Sequence, residues 1–256
     1  MTHNLSIRWM GINALEFRYP GGSFLIDPYV SRDPERLTIA TEIDKYLDGK
    51  PDFVLMTHAH WDHLPDMPEI IRRTGTTLYA SKTACNIMRY CQVPEQHLHE
   101  IFPGEQLRFP GGVRVTVLES RHMEPVAYPG VYAAVPAKLS GRKDWLCGEV
   151  YAFLIEWDNK FRILNAGSAN LHPPAVEGLK CDDFLCGVSR WKPDFPELLN
   201  HIHFRRLIPV HHDEFTLPLD QFRLRDDFLR LKAVLPELNG MELPVLQWTT
   251  LSTLDS

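Results

Sequence analysis

No stretch of this chain is apolar for the roughly 20 residues needed to span a bilayer, so no integral membrane segment is expected. Cysteine is sparse. The five residues, Cys85, Cys91, Cys147, Cys181 and Cys186, are odd in number and form no C-x-x-C pair. That argues against a disulfide framework or a zinc ribbon. They read as small core hydrophobes in a reduced, cytoplasmic setting; Cys186, which ends the apolar Phe184-Leu185, is also a candidate for lining a site. Basic charge is in the minority: 27 Lys and Arg face 33 Asp and Glu, a formal net charge of −6. Nonspecific nucleic-acid binding needs the opposite balance, so no nucleic-acid partner is expected. The opening Met1-Thr2-His3-Asn4 shows no charged-then-apolar leader pattern. No repeat, low-complexity run or linker interrupts the chain, and 256 residues can bury a sizeable core. The expectation is one α/β domain over residues 1–256.

Strands alternate with helices. Alternation over Leu15 to Tyr19, the break Pro20-Gly21-Gly22, and Ser23 to Ile26 predict a hairpin. Phe53-Val54-Leu55-Met56 reads as a buried strand. Asp66-Met67-Pro68 looks like a helix start, with Asp66 as cap and Gly75 as terminator. Ser81 caps a second helix whose Ala84, Ile87, Met88 and Cys91 share a core-facing stripe. Val113 to Leu118 is a strand, and Tyr151 to Glu156 and Phe161 to Leu164 form a hairpin through Asp158-Asn159. Gln221 to Leu235 reads as an amphipathic helix with Phe222, Phe228, Leu229 and Leu231 inward, and Leu243 to Leu251 as a closing strand. Two groups of strands separated by helices imply two sheets with helices outside. Residues 121–149 are irregular, with Pro125, Pro129, Gly130, Pro136 and Gly141 beside Tyr128, Tyr132 and Trp145. A long structureless stretch in a compact domain is usually functional, so this segment is expected to border a site as a substrate-contacting lid. Its Arg142 and Lys143 could attract an anionic group.

The most informative run is Thr57-His58-Ala59-His60-Trp61-Asp62-His63. It follows a buried strand, so its side chains gather where the strand ends and a loop opens. Three imidazoles and one carboxylate there can ligate metal without breaking a ladder; zinc, iron and manganese suit that donor set.

The pattern H-x-H-x-D-H resembles that of the metallo-β-lactamase superfamily of metal-dependent hydrolases. Further matches run in family order: Ile7-Arg8-Trp9-Met10-Gly11, Phe24-Leu25-Ile26-Asp27-Pro28, Ser120-Arg121-His122, Ile163-Leu164-Asn165-Ala166-Gly167-Ser168 and Ile208-Pro209-Val210-His211. The resemblance implies a four-layer αβ/βα sandwich with the metal site at one edge of the two sheets. It implies His58, His60 and His122 on a first metal and Asp62, His63 and His211 on a second, with zinc as the ion and manganese or iron as alternatives. His212 is an alternative to His211, and His172 a lesser candidate. Asp62 and His211 would also be catalytic, Asp62 by orienting the water or taking its proton. Asp27 is the candidate acceptor for a metal histidine's second ring proton, or else a turn-capping aspartate.

The implied activity is attack by metal-bound hydroxide on a small ester, lactone or phosphodiester. Histidine rather than glutamate at position 60 argues against the diiron flavoprotein branch, and low basic charge argues against the nuclease branch. The branch that fits best contains sugar-phosphate lactonases and N-acyl phospholipid phosphodiesterases. One departure matters: Ser168 stands where the family places a bridging aspartate, which should weaken the second metal. Asp182 or Asp183 reaching in instead is the alternative alignment. A metal- and ligand-binding protein with little hydrolytic activity is the second reading, and single-iron oxidation the last. Small-molecule substrate is the expected partner; self-association stays open.

Overall fold

The computed structural model describes residues 5–32, 40–47, 49–158, 161–167, 170–188, 195–235 and 241–251. In chain order its elements are β1 (Leu5–Trp9), β2 (Leu15–Tyr19), β3 (Gly22–Ile26), α1 (Ala40–Tyr46), β4 (Phe53–Leu55), α2 (Met67–Thr74), β5 (Thr77–Ala80), α3 (Lys82–Tyr90), β6 (Leu98–Glu100), β7 (Gln106–Arg108) and β8 (Val113–Glu119). They continue with β9 (Tyr151–Trp157), β10 (Phe161–Ala166), α4 (Pro173–Val176), β11 (Leu179–Gly187), α5 (Phe195–Leu199), β12 (Ile202–Val210), α6 (Asp226–Val234) and β13 (Trp248–Leu251). A seven-stranded sheet has the order β13-β1-β2-β3-β4-β5-β6, and a six-stranded sheet the order β12-β11-β10-β9-β8-β7.

The apolar pattern explains the layering. Side chains of a strand alternate between faces. In β4, Phe53 and Leu55 enter a core between the sheets while Val54 enters a second core on the helix side. A strand buried on both faces reads as the continuous apolar run seen in the sequence. The central core stacks Phe17 on Phe24 (4.6 Å) and Phe24 on Phe53 (4.7 Å) across adjacent strands, and the partly buried Phe109, just after β7 of the second sheet, stacks on Phe53 (3.5 Å). Burying such a side chain contributes about 1.5–3 kcal/mol. On the outer face of the first sheet, Ile70 and Ile71 of α2 and Ala84, Ile87 and Met88 of α3 meet Val54 and Leu78. On the outer face of the second, Phe228 and Leu231 of α6 join the cluster of Leu164, Phe184 and Cys186. The result is the expected four-layer αβ/βα sandwich. Among the described residues no helix is long and apolar enough to cross a membrane.

Strand direction places the site. β3, β4, β5 and β6 run parallel, and so do β10, β11 and β12; β8 is antiparallel to β9, which is antiparallel to β10, so β8 shares β10's direction. The residues after β3, β4, β8, β10 and β12 therefore converge at one edge, the carboxyl ends where α/β sheets place ligands.

Local signals were mostly sound, with instructive exceptions. Ser81 caps α3 by accepting from Ala84 N at 3.2 Å, and Gly75, at φ 65°, ends α2. Asp66 stands at the N-cap of α2, but its carboxylate does not cap that helix. It accepts instead from Val30 N (2.7 Å), Ser31 N (2.8 Å) and Ser31 Oγ (2.6 Å), tying the loop after β3 to α2. The predicted helix over Gln221 to Leu235 starts only at Asp226; Phe222 lies before it, packed edge-on to Trp9 at 5.5 Å, and Leu229 points outward at 51% exposure. The closing strand is confined to Trp248–Leu251, paired antiparallel with β1. Asn159 lies outside the described residues.

Burial pushes the Asp66 carboxyl up to about 6, with the Ser31 and Val30 hydrogen bonds opposing the rise. A carboxyl raised in the folded state contributes stability that is complete below its unfolded pKa of about 3.9 and is lost as pH rises through about 6. For Asp66 that loss is on the order of 3 kcal/mol. Urea titrations from pH 4 to pH 7 should show this component vanish in Asp66→Asn; an unchanged slope in the variant would assign it to other groups.

Candidate metal centre

Met56 closes the strand side of the first sheet, donating its N–H to Tyr79 O at 3.0 Å, and the chain then turns through the histidine run. Thr57 N donates to Asp27 Oδ1 (2.7 Å), Ala59 N to Cys147 O (2.9 Å), and His63 N and Leu64 N both to His60 O (3.0 and 3.1 Å). This tight turn puts alternate residues to different uses. Ala59 and Leu64 enter the helix-side core, whereas His58, His60, Asp62 and His63 face the edge of the sandwich.

Two donor groups result. His58, His60 and His122 bring one ligand atom each to within 4.8 Å of one another, and so do Asp62, His63 and His211. His58 joins the two: its ring centroid lies 4.0 Å from that of His63, 4.7 Å from His60 and 5.1 Å from His122. His211 Nε2 is 3.6 Å, and His63 Nε2 3.9 Å, from the Asp62 carboxylate. No covalent or purely structural need brings five imidazoles together in a buried setting.

Three of the imidazoles are held neutral, as a cation requires; burial also lowers His63, but the Asp27 and Asp62 carboxylates outweigh it and raise that ring. Burial, reinforced by neighbouring histidines, pushes His58 well below its usual range, lowers His60, and takes His122 down to about 4. Neutral imidazoles keep a lone pair for a metal. Burial alone would raise the Asp62 carboxyl, but His63 and His211 hold it below the usual carboxylate range, so it is an anion. His211 has φ 56°, a conformation uncommon for a side-chain-bearing residue, held by its N–H bonding to Ile12 O at 2.7 Å. Its Nδ1 is buried with no hydrogen-bond partner. A strained backbone that holds the ring with Nε2 toward Asp62 matches a residue positioned for a ligand.

His212 goes elsewhere. Its ring stacks between Trp9 (4.5 Å) and Phe228 (4.1 Å), and burial pushes it down to about 4. Of the two adjacent histidines, the structure brings His211 to the site. His172 lies 3.8 Å from the exposed Glu119 and does not line the cavity; Cys186 is buried in the outer core. Asp183 is paired with Arg206 (2.5 Å) and Asp182 accepts from Arg162 N (2.8 Å), both in the middle of β11 rather than at its carboxyl end, and neither lines the cavity. Ser168 lies outside the described residues.

Asp27 proves more connected than a turn cap. Its Oδ2 accepts from His63 Nδ1 (2.8 Å) and Asn13 Nδ2 (2.7 Å) and from Thr57 Oγ1. His63 donating through Nδ1 turns Nε2 toward Asp62, the arrangement that outer carboxylates impose on metal histidines. Asn13, between β1 and β2, forms a reciprocal amide pair with Asn165 on β10 (2.9 and 3.2 Å), so the two sheets are stitched together beside the site. A second buried link is the ion pair of Arg32 and Asp213, with Asp213 also accepting from Ile12 N at 2.8 Å. A Cβ on Gly11 would meet Arg32 Nη2 at 1.5 Å, which explains the glycine there. Neither the Asn13–Asn165 nor the Arg32–Asp213 pair is announced by any local feature of the sequence. Asp27→Asn should lower zinc affinity of the Asp62, His63, His211 group about 10–100-fold. Competition titration against a chelator measures it; unchanged affinity would reduce Asp27 to a folding role.

A cavity of about 290 Å³ opens over both donor groups. Trp61, Phe215 and Tyr128 supply aromatic walls, and Met123, Ala127 and Arg142 come from the irregular segment. That segment is well anchored: Tyr132 O accepts from Asn86 Nδ2 (2.8 Å), Cys147 N donates to Tyr128 O (2.9 Å), and Trp145 is buried in the helix-side core.

Known proteins share this fold and family. The family model for the Beta-lactamase superfamily domain matches residues 23–213. A curated relative, a UPF0173 metal-dependent hydrolase of a Polaromonas species, is 27% identical over 92% of this chain and 77% of its own length. Isothiocyanate hydrolase from Delia radicum gut bacteria superposes with a TM-score of 0.62, at 13% identity over 96% of this chain and 99% of that one. Zinc-bound PqqB from Methylobacterium extorquens gives a TM-score of 0.55, at 16% identity over 93% and 87%. With the family model spanning most of its length and the four-layer fold in common, the chain belongs to the metallo-β-lactamase superfamily.

Proposed function

We propose that this chain is a metal-dependent hydrolase of small esters, lactones or phosphodiesters. His58, His60 and His122 would hold one ion, and Asp62, His63 and His211 a second. The observation that carries this reading is that both donor groups open onto one cavity. Zinc is the expected ion, in keeping with the zinc-bound relative and the imidazole-rich donor set. A bound divalent ion supplies Lewis acidity and makes water a nucleophile near neutral pH.

The chain's own residues do the rest. Asp62, held anionic, is the group that accepts or orients a proton beside the scissile bond. Asp27 fixes the ring orientation of His63 through the 2.8 Å bond to Nδ1. Trp61 and Phe215 give the cavity apolar walls, which strengthen the electrostatic interactions beside them. The second ion is the weaker, because Ser168 stands where a bridging aspartate would balance its charge. The segment 121–149 acts as the substrate-contacting wall of a single domain, and the chain's five free thiols suit a reduced cytoplasmic setting.

The test is turnover by chelator-stripped protein, with zinc or manganese restored, of p-nitrophenyl butyrate, γ-butyrolactone and bis(p-nitrophenyl) phosphate. Metal-dependent hydrolysis that is lost in Asp62→Asn supports the reading. Saturable metal binding with no metal-dependent turnover of any class would overturn it in favour of a ligand-binding protein.

A further inference from the structure

We propose that Arg142 is the specificity residue of this cavity and selects substrates bearing a carboxylate or phosphate group remote from the scissile bond. The inference rests on the hydrolase reading and names the substrate class for the same site.

Among the described residues lining the cavity, Arg142 is the one lysine or arginine and Asp62 the one acid. Divalent ions in the two donor groups would leave this space strongly positive, and Arg142 adds to that field at the wall. Its guanidinium lies over the Trp61 ring, 5.1 Å from the centroid. Trp61 is itself part of the histidine run, between His60 and Asp62, so the cation is registered against the donor groups by the motif that carries them. A guanidinium stacked on an indole face keeps its charge, and guanidinium geometry suits carboxylate and phosphate.

The backbone beneath Arg142 is fixed. Ser140 N and Oγ donate to Asp144 Oδ2 at 2.7 and 2.9 Å, Trp145 N donates to Arg142 O at 3.1 Å, and Tyr132 Oη donates to Asp144 O at 3.0 Å. Buried Trp145 pins the turn to the helix-side core. A cation on such a turn loses less conformational freedom on binding than one on a free loop. Arg142 is also half-buried, where an ion pair is less screened than at an open surface. A cavity of about 290 Å³ sits at the small end of ligand sites, so the substrate is short, with its acid group at one end and the scissile bond at the other.

Two esters of matched length test this on the metal-loaded protein: p-nitrophenyl butyrate, and mono-p-nitrophenyl glutarate, which adds a terminal carboxylate. Wild type should favour the glutarate ester through a lower KM. Arg142→Gln should cut the glutarate-to-butyrate ratio of kcat/KM about tenfold, chiefly in KM, with Arg142→Lys intermediate. Inhibition by glutarate and by glycerol 3-phosphate, each compared between wild type and Arg142→Gln, tells carboxylate from phosphate: the native group is the one that loses more affinity. A ratio unchanged by Arg142→Gln overturns the proposal while leaving the hydrolase reading intact. If wild type turns over neither ester, that reading fails for these substrates, and calorimetric binding of glutarate decides the subsite alone: weakening of about tenfold in Arg142→Gln upholds it, and equal affinity overturns it.

Discussion

His58→Ala is expected to lower metal-dependent turnover by well over a hundredfold and to reduce bound metal at both donor groups. The size follows from position. His58 belongs to the His58, His60, His122 group and also to a group with Asp27 and His63, and its ring lies 4.0 Å from His63. Outer-shell changes at metal centres already cost about 10–100-fold, and a group at the junction of both sets should cost more. His58 is buried, and its Nδ1 lies 3.0 Å from Thr57 Oγ1, so the variant also leaves that hydroxyl to rearrange. A melting curve by circular dichroism separates folding from metal loss. His212→Phe is the contrasting control: that ring is stacked between Trp9 and Phe228, so phenylalanine should keep the metal content of wild type. Equal metal content in His58→Ala and His212→Phe would mean that the histidine cluster is not the ion's seat.

Arg32→Met should be the most destabilising single change away from the donor atoms, by about 3–5 kcal/mol. Both side chains of the Arg32–Asp213 pair are fully shielded from solvent. Removing one partner leaves the other's charge buried and uncompensated, the costly half of such a pair. Met10 O, at 3.4 Å, also loses a donor, and Asp213 sits two residues after His211, so the strained turn that aims that histidine loses its support. For a chain of this size the change corresponds to a fall of roughly 6–20 °C in Tm. Arg32→Met paired with Asp213→Leu should recover part of the loss, since an apolar pair of similar volume leaves no buried charge. A melting point within a degree of wild type would show that the pair is energetically idle.

What was readable in the sequence was whatever is local. A buried strand followed by a histidine run needs only neighbouring residues, and so do the Ser81 cap, the Gly75 stop and the strand leading to His122. The long-range polar links were not readable, because nothing near Asn13 announces Asn165, 152 residues on, or near Arg32 announces Asp213, 181 residues on. A polar residue at a helix start reads as a cap, yet Asp66 found better donors in Val30 and Ser31, supplied by the tertiary fold. Leu229 fits the apolar pattern of its helix, but the face of α6 that packs is set by Phe228 and Leu231, and Leu229 is left outward. The family resemblance already favoured His211 over His212, and the stacking of His212 between Trp9 and Phe228 shows where the second histidine goes instead.

Zinc titration of chelator-stripped protein, followed by calorimetry, tests the two-centre account most directly. The account predicts one tight step and one weaker step, the tight step lost in His60→Ala and the weaker one lost in His63→Ala and strengthened by Ser168→Asp. A titration without saturable binding, or one whose stoichiometry is the same in His60→Ala and His63→Ala as in wild type, would contradict it.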